Sequence, residues 1–131
     1  MRSAAANGPL VLVVDDFEDG RFMLRRLLEA KGLRVAEAAD GEEAVASVRR
    51  ECPDLILMDL NMPRMDGLTA ARKIRECREF CSGVPMVAVT AYHTYGMKEA
   101  AEEAGCDAYV AKPIDEAHFE RTLRRMLPGW V

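Results

Sequence analysis

Several short apolar segments of this 131-residue chain end in a side chain that can do chemistry. These side chains are Asp15 and Asp16, then Asp59, then Thr90, and finally Lys112. An ionised carboxylate is a nucleophile that can attack phosphorus and form an aspartyl-phosphate. An ammonium and a hydroxyl placed opposite it bind the oxygens of an anion. The residue types therefore indicate phosphoryl chemistry, provided that the fold brings them together.

Three carboxylates in one cleft repel each other, and at ~4 Å with an effective dielectric of ~20 each pair costs ~4 kcal/mol. Either one of them takes up a proton at neutral pH or a cation sits among them. Oxygen ligands with incomplete protein coordination favour Mg²⁺ over Ca²⁺. The backbone carbonyl of Asn61, two residues after Asp59, is a further candidate ligand. No His or Cys adjoins these positions, which argues against zinc.

Asp59 is the strongest candidate for the acceptor. It follows Leu55–Met58, a continuous apolar run that opens after Cys52-Pro53 and is typical of a strand buried on both faces. Ligands of open α/β sheets collect at the carboxyl ends of such strands. The phosphoryl group is expected on Asp59, with Thr90 and Lys112 on its oxygens.

The elements that must position these residues alternate along the chain as five strands and five helices. Apolar runs near residues 10–14, 33–38, 55–59, 86–90 and 108–111 alternate with segments of helical spacing. Gly32 is a helix-stop signal, while Asp40 with Glu43 and Asp115 are helix-start signals. Asp16 or Asp19 is the ordinary candidate to cap the first helix. The pattern predicts a flavodoxin-like, doubly wound (βα)₅ fold with a parallel sheet of order 2-1-3-4-5.

One domain is expected over residues 9–127, with short tails at 1–8 and 128–131. A net charge of −4 argues against non-specific nucleic-acid binding. The apolar runs are too short to span a bilayer, and no signal peptide is apparent, which predicts a cytoplasmic protein without membrane association. The four cysteines are then expected to be free thiols.

The motifs resemble those of response regulator receiver domains over about residues 9–127. The matching segments are Val13–Asp16, Met58–Gly67, Val89–Ala91 and Ala111–Pro113. The resemblance implies that Asp59 takes a phosphoryl group from a phosphohistidine on a sensor kinase or a histidine phosphotransfer protein. It implies that Asp15, Asp16, Asp59 and the Asn61 carbonyl hold Mg²⁺. The family often has a cis peptide bond before the corresponding proline, which this sequence permits at Lys112-Pro113.

The resemblance further implies a switch. Thr90 is drawn towards the phosphoryl group and Tyr109 moves inward, which reshapes the face of helix 4, strand 5 and helix 5 for a downstream protein. Asn61 and Tyr92 are expected to set how long the phosphoryl group survives. Tyr109 can also be an ordinary half-buried aromatic residue of a strand.

Several alternatives remain open at this stage. The chain is a free-standing regulator, a phosphorelay intermediate, or a domain from a larger regulator or hybrid kinase. A second possibility is a phosphatase with an aspartate nucleophile, although such an enzyme usually has a second aspartate where this chain has Asn61. A third possibility is a constitutive scaffold whose receiver-like site is unused.

A basic group near the end of the chain is either a solvated helix face or a docking surface for an acidic partner. It comprises Lys98, Lys112, Arg121, Arg124 and Arg125.

Overall fold

A computed structural model of the chain describes residues 8–60, 66–76, 81, 83–91 and 96–130. Within them, five strands alternate with five helices. In chain order these are β1 (Leu10–Val14), α1 (Glu18–Ala30), β2 (Arg34–Ala38), α2 (Gly41–Arg50), β3 (Leu55–Asp59), α3 (Gly67–Glu76), β4 (Met86–Thr90), α4 (Met97–Glu103), β5 (Ala108–Ala111) and α5 (Glu116–Met126). The predicted alternation is confirmed. None of the described helices has the length and apolar character that crossing a bilayer requires.

The strands form one parallel sheet in the order β2-β1-β3-β4-β5, which confirms the predicted flavodoxin-like topology. β3 lies in the middle of the sheet. Asp59 stands opposite Val89 of β4, and Thr90 stands opposite Ala111 of β5. The last residues of these strands therefore meet at one edge of the sheet.

The three inner strands β1, β3 and β4 are buried on both faces, since successive side chains point to opposite sides of the sheet and helices cover both sides. Val11 and Val13 pack in a cluster that includes Leu28 of α1 and Phe119 of α5. The alternate residues of β1 belong to the cluster on the other face, which α2, α3 and α4 cover. Phe119 is fully buried, and burial of such a side chain contributes about 1.5–3 kcal/mol. Burial on both faces explains why the inner strands β1, β3 and β4 are apolar runs, whereas the edge strand β2 contains Arg34 and Glu37.

Two helix starts follow the sequence signals. The Asp40 carboxylate accepts a hydrogen bond from the Glu43 amide at 2.8 Å, and the Glu43 carboxylate accepts one from the Ala39 amide at 3.0 Å. The pair is a capping arrangement in which the return bond reaches the residue before the cap. Asp115 caps α5 by accepting from the His118 amide at 3.1 Å.

The start of α1 differs from the expectation. Phe17 is the N-cap residue and has no capping bond from its side chain, so neither of the candidate caps, Asp16 or Asp19, takes this position. Instead the Asp15 carboxylate accepts a hydrogen bond from the Phe17 amide at 2.9 Å. The acid at the end of β1 thus ties the helix start to the strand.

The expectation of free thiols is wrong for one pair of cysteines. Cys52 and Cys81 form a disulfide with a Cα–Cα distance of 5.3 Å across a sequence separation of 29 residues. Among the described residues Cys106 is a free, buried thiol, while Cys77 lies outside them. Spacing along the sequence missed the pair because the parallel topology returns both segments to the amino end of the sheet.

The residues after α5 pack back onto the domain. Trp130 is 9% exposed and belongs to the core cluster on the α1–α5 side. Its Nε1 donates a hydrogen bond to the Lys31 carbonyl at 3.1 Å, and the Arg124 guanidinium lies 4.8 Å from its ring centroid. The segment after Met126 therefore adds an aromatic anchor at the end of α1.

Trp130→Ala is expected to lower the free energy of unfolding by about 2 kcal/mol, less than the ~3–5 kcal/mol of a tryptophan deep in a core, because the chain end relaxes more easily. Urea denaturation followed by circular dichroism measures the change. Trp130→Phe is the matched control: it keeps most of the packing and loses the hydrogen bond, at a cost of about 1 kcal/mol. An alanine variant with the wild-type midpoint would show that the anchor contributes nothing.

Candidate functional site

Asp15 is held at the end of β1 by both its backbone and its side chain. Its amide donates to the Ala38 carbonyl of β2 at 3.1 Å, and its carbonyl accepts from Arg21 Nη1 at 2.8 Å. Its side chain is only 3% exposed. Asp16, the next residue, is exposed. The pair therefore presents one fixed carboxylate and one that faces solvent.

Asp59 is the last residue of the central strand β3 and is 8% exposed. The Gly67 amide donates to the Leu60 carbonyl at 3.2 Å, which holds the start of α3 against the end of β3. A Cβ atom on Gly67 would stand 2.2 Å from the Asp59 carbonyl oxygen. Only glycine permits this approach. Asp59 is thus positioned by its strand and by the absence of a side chain at Gly67.

Lys112 reaches two of the acids. Its Nζ donates to Asp15 Oδ2 at 3.0 Å and lies 4.0 Å from Asp59 Oδ2. Its amide donates to the Thr90 carbonyl at 2.9 Å, which fixes the end of β5 against the end of β4. Thr90 itself is fully buried. The peptide bond between Lys112 and Pro113 is cis, as the resemblance permits.

The predicted cluster of acids is present. One carboxylate oxygen from each of Asp15, Asp16 and Asp59 lies within 4.8 Å of the others. Three ionised carboxylates and the Lys112 ammonium together carry a net charge of −2, which one divalent cation would neutralise. Carboxylate oxygens with one open, solvent-facing side suit Mg²⁺, which keeps several waters. The donor set therefore fits this ion.

Two of the predicted site residues, Asn61 and Tyr92, lie outside the described residues. Tyr109 is half-buried in β5, and burial raises the pKa of its hydroxyl. It lines a surface cavity of about 650 Å³ together with Lys98, Cys106, His118 and Arg125. Tyr109 therefore lies on the face made by α4, β5 and α5, where the switch was predicted.

Sequence reasoning missed two residues that build the site. Arg21 of α1 bonds the Asp15 carbonyl and pairs with Glu37 of β2 at 3.1 Å, so it joins the helix, the strand end and the neighbouring strand. Gly67 entered the sequence analysis only as the last residue of a segment that resembles receiver domains. The signal for its role was available in the Asp66-Gly67 pair after β3, but the close contact requires coordinates.

Comparison with known proteins gives the family. The model of the response regulator receiver domain matches residues 11–124. The chain is a response regulator receiver domain. The match includes residues of all five strands, together with Asp15, Asp16 and Asp59.

Individual relatives and solved structures point to the same family as the family model does. The receiver domain is 35% identical over 117 residues to the polar-differentiation response regulator DivK of Brucella ovis, covering 89% of this chain and 94% of that protein. The Vibrio cholerae chemotaxis protein CheY4 is similar with a TM-score of 0.84 and 30% identity, covering 91% of this chain and 98% of that one. The receiver domain of the Pseudomonas aeruginosa sensor histidine kinase PA1611 is similar with a TM-score of 0.81 and 35% identity, covering 92% and 98%. That structure has a magnesium ion in its active-site cleft.

Membership of this family makes the chain a regulatory domain of two-component signalling. Receiver domains bind Mg²⁺ in the active site, and they interact with histidine kinases or phosphotransfer proteins and with downstream partners. The acidic cluster lies where such a site requires it, at the carboxyl edge of the sheet.

Lys112→Met is expected to destabilise the receiver domain by about 2 kcal/mol in chelator, because the almost fully buried Asp15 carboxylate loses its cation while the partial exposure of Lys112 limits the cost. Added Mg²⁺ is expected to stabilise this variant more than the wild type. Urea denaturation with chelator and with Mg²⁺ measures both effects. Lys73→Met, at an exposed position of α3, serves as control. Equal stability of Lys112→Met and wild type in chelator would show that the ion pair contributes nothing.

Proposed function

We propose that this receiver domain accepts a phosphoryl group on Asp59 from a phosphohistidine donor in a Mg²⁺-dependent reaction, and that the modification changes its partner-binding face. One observation carries the proposal. Asp59 ends the central strand beside Asp15 and Asp16, with Lys112 Nζ 4.0 Å from its carboxylate. The acceptor, the metal ligands and the cation for the phosphoryl group are thus in one place.

The chemistry needs only positioning and charge neutralisation. An Asp59 oxygen attacks phosphorus, the bond from phosphorus to the donor imidazole nitrogen breaks, and the nitrogen keeps the electron pair. The Lys112 ammonium turns from Asp15 to a phosphoryl oxygen, and the Thr90 hydroxyl donates to another. Mg²⁺ held by Asp15, Asp16, Asp59 and the Asn61 carbonyl would neutralise charge on the phosphoryl oxygens.

An apolar groove beside the site supports a protein donor, a sensor kinase or a phosphotransfer protein. The groove has a volume of about 640 Å³ and runs between α1 and the segment after β5, past Asp15 and Lys112. Phe17 and Met23 on its wall are 62% and 71% exposed. Large exposed apolar side chains are typical of a surface that another protein covers. A protein docked there brings its phosphohistidine close to Asp59.

The face made by α4, β5 and α5 is proposed to bind the downstream protein. Thr90 and Tyr109 lie at the end of β4 and on β5, and they link the acceptor edge to this face. Lys98, Arg121 and Arg125 are exposed on it, which favours a partner with an acidic surface. Movement of Thr90 towards the phosphoryl group, followed by Tyr109, would alter the shape of the face.

The test is intact mass after incubation with acetyl phosphate, with Mg²⁺ and with chelator. One added phosphoryl group is expected with Mg²⁺ and none with chelator. Hydroxylamine is expected to remove it, because an acyl phosphate reacts with hydroxylamine whereas a phosphate ester of serine or threonine does not. Peptide mapping is expected to place the group on residues 55–60. A hydroxylamine-stable product, or a product elsewhere in the chain, would refute the proposal.

Tyr92→Ala is expected to shorten the half-life of the phosphorylated form several-fold, because a bulky residue two positions after Thr90 slows the approach of water. The loss of the added mass over time, after removal of the donor, measures it. Phe22→Ala, at an exposed aromatic residue of α1, is the control and is expected to leave the half-life unchanged. An unchanged half-life for Tyr92→Ala would refute this role for Tyr92. A role of Asn61 in the lifetime of the phosphoryl group is proposed separately.

The chain acts as a free-standing regulator or phosphorelay intermediate in this proposal, or as the receiver domain of a larger regulator or hybrid kinase. The phosphatase alternative has no support, since receiver domains are regulatory and the family model and relatives point to no enzyme family. Turnover of a small phosphomonoester that is lost in Asp59→Asn would restore it.

A further inference from the structure

The disulfide lies at the edge of the sheet opposite the acidic site. Cys52 stands between α2 and β3, and Cys81 stands between α3 and β4. Both connections lead into the amino ends of strands, whereas Asp59 ends β3. A five-residue strand is about 13 Å long from its first residue to its last. The disulfide is therefore separate from the site at which phosphoryl chemistry is proposed.

The chain between the two cysteines contains the acceptor strand. The loop closed by the disulfide includes all of β3 and α3, and with them Asp59 and Gly67. A cross-link of this kind stabilises a protein mainly by limiting the conformations of the unfolded chain, and the effect grows with loop length. The disulfide thus restrains the unfolded form of the segment that carries the acceptor.

The two sulfur-bearing residues differ in exposure. Cys81 is 4% exposed and part of the core cluster on the α2–α3 side, whereas Cys52 is only partly buried at its margin. A thiolate reaches a disulfide through its more exposed sulfur. Cys52 is the position where exchange can begin, and Cys81 is the thiolate that leaves.

We propose that Cys52 and Cys81 form a reversible redox pair that, when oxidised, restrains Cys81 and the residues 83–85 that lead into β4. Peroxide takes two electrons and two protons from the two thiols and becomes two molecules of water. In the reverse direction one glutathione thiolate attacks the Cys52 sulfur and frees Cys81, and a second releases Cys52 as glutathione disulfide leaves. The proposal does not depend on phosphorylation of Asp59.

Side-chain hydrogen bonds of Arg75 also restrain the residues that lead into β4. Arg75 of α3 donates hydrogen bonds to the Val84 carbonyl and to the Gly105 carbonyl. In the oxidised form this side-chain network and the disulfide both restrain the approach to β4. In the reduced form the covalent restraint is lost, so the amides of residues 83–86 are expected to exchange with solvent faster.

The experiment equilibrates the full chain in glutathione buffers from reducing to oxidising, then counts thiols by alkylation of the denatured protein and intact mass. Two thiols are expected to disappear together as the buffer becomes oxidising, and peptide mapping is expected to assign them to Cys52 and Cys81. The melting temperature of the oxidised form is expected to exceed that of the reduced form by about 10 °C.

Three variants test the assignment. Cys52→Ser, at the partly exposed position, is expected to fold and to lose the shift on oxidation. Cys106→Ser is the matched control and is expected to keep the whole shift, because burial raises the pKa of the Cys106 thiol to about 11 and leaves it unreactive. Cys77→Ser is also expected to keep it.

Three results would overturn the proposal. They are equal melting temperatures of the oxidised and reduced wild type, a disulfide that survives every reducing glutathione buffer, and loss of the shift in Cys77→Ser. The first would mean that the bond does not stabilise the fold, the second that it is permanent, and the third that another pair carries the effect.

Phosphoryl uptake by both redox forms is measured in parallel and is expected to differ by less than about twofold, because the strand separates the two sites.

Discussion

Asp59→Asn is expected to take up no phosphoryl group from acetyl phosphate and to keep its fold. The amide has the shape of the carboxylate and lacks its charge, so it is no nucleophile towards phosphorus. The other parts of the site remain in place in this variant, including Lys112 and the two acids after β1. Intact mass with Mg²⁺ measures the uptake, and wild type provides the positive reference.

The same substitution has an expected effect on stability, which separates chemistry from folding. Removing one of three mutually repelling carboxylates is expected to leave stability in chelator unchanged or to raise it by ~1 kcal/mol, and to weaken stabilisation by Mg²⁺. Asp115→Asn is the matched control, because asparagine caps a helix as well as aspartate does and Asp115 is not one of the three clustered acids. Wild-type uptake by Asp59→Asn would place the acceptor elsewhere and end the proposal.

Gly67→Ala is expected to damage both the fold and the site. The new Cβ would stand 2.2 Å from the Asp59 carbonyl oxygen, 2.6 Å from Leu60 Cα and 2.9 Å from the Asp59 carbonyl carbon. These atoms are backbone and cannot rotate away, so the start of α3 or the end of β3 must move. Overpacking of this severity is expected to cost at least ~3 kcal/mol.

The displaced strand end carries the acceptor. A shift of ~1 Å in a reacting group can lower a rate about 100-fold, and phosphoryl uptake by Gly67→Ala is expected to fall by about that factor. Urea denaturation and the time course of uptake measure the two effects. Gly129→Ala is the control, since its Cβ meets no atom within 4 Å, and it is expected to match wild type in both. Wild-type stability of Gly67→Ala would show that the contact between α3 and β3 is not needed.

The sequence predicted the order of the strands and the meeting of their ends for a physical reason. A strand buried on both faces is a continuous apolar run, and the residue that breaks the run reaches the edge of the sheet. Asp59, Thr90 and Lys112 each break such a run. The parallel topology then puts these positions at one edge, so their proximity followed from the pattern alone.

Contacts between distant segments could not be predicted from the pattern of apolar runs. The disulfide between Cys52 and Cys81 depends on where two loops return, and the approach of Gly67 to Asp59 depends on a backbone path of a few ångströms. At the start of α1 the N-cap position falls on Phe17, not on Asp16 or Asp19, and the Phe17 amide donates to the Asp15 carboxylate, which Lys112 also contacts. Local preference gave way to the requirements of the site.

The position of Trp130 has a practical consequence for spectroscopy. This residue is the single tryptophan of the chain, and its indole packs beside Lys31 at the turn between α1 and β2, on the opposite edge of the sheet from Asp59. Its emission therefore reports loss of the packed end of the domain and is insensitive to events at the acidic edge. A fluorophore attached near the acceptor, with emission at another wavelength, would report binding at the acidic site. Unfolding and binding could then be followed independently in one sample.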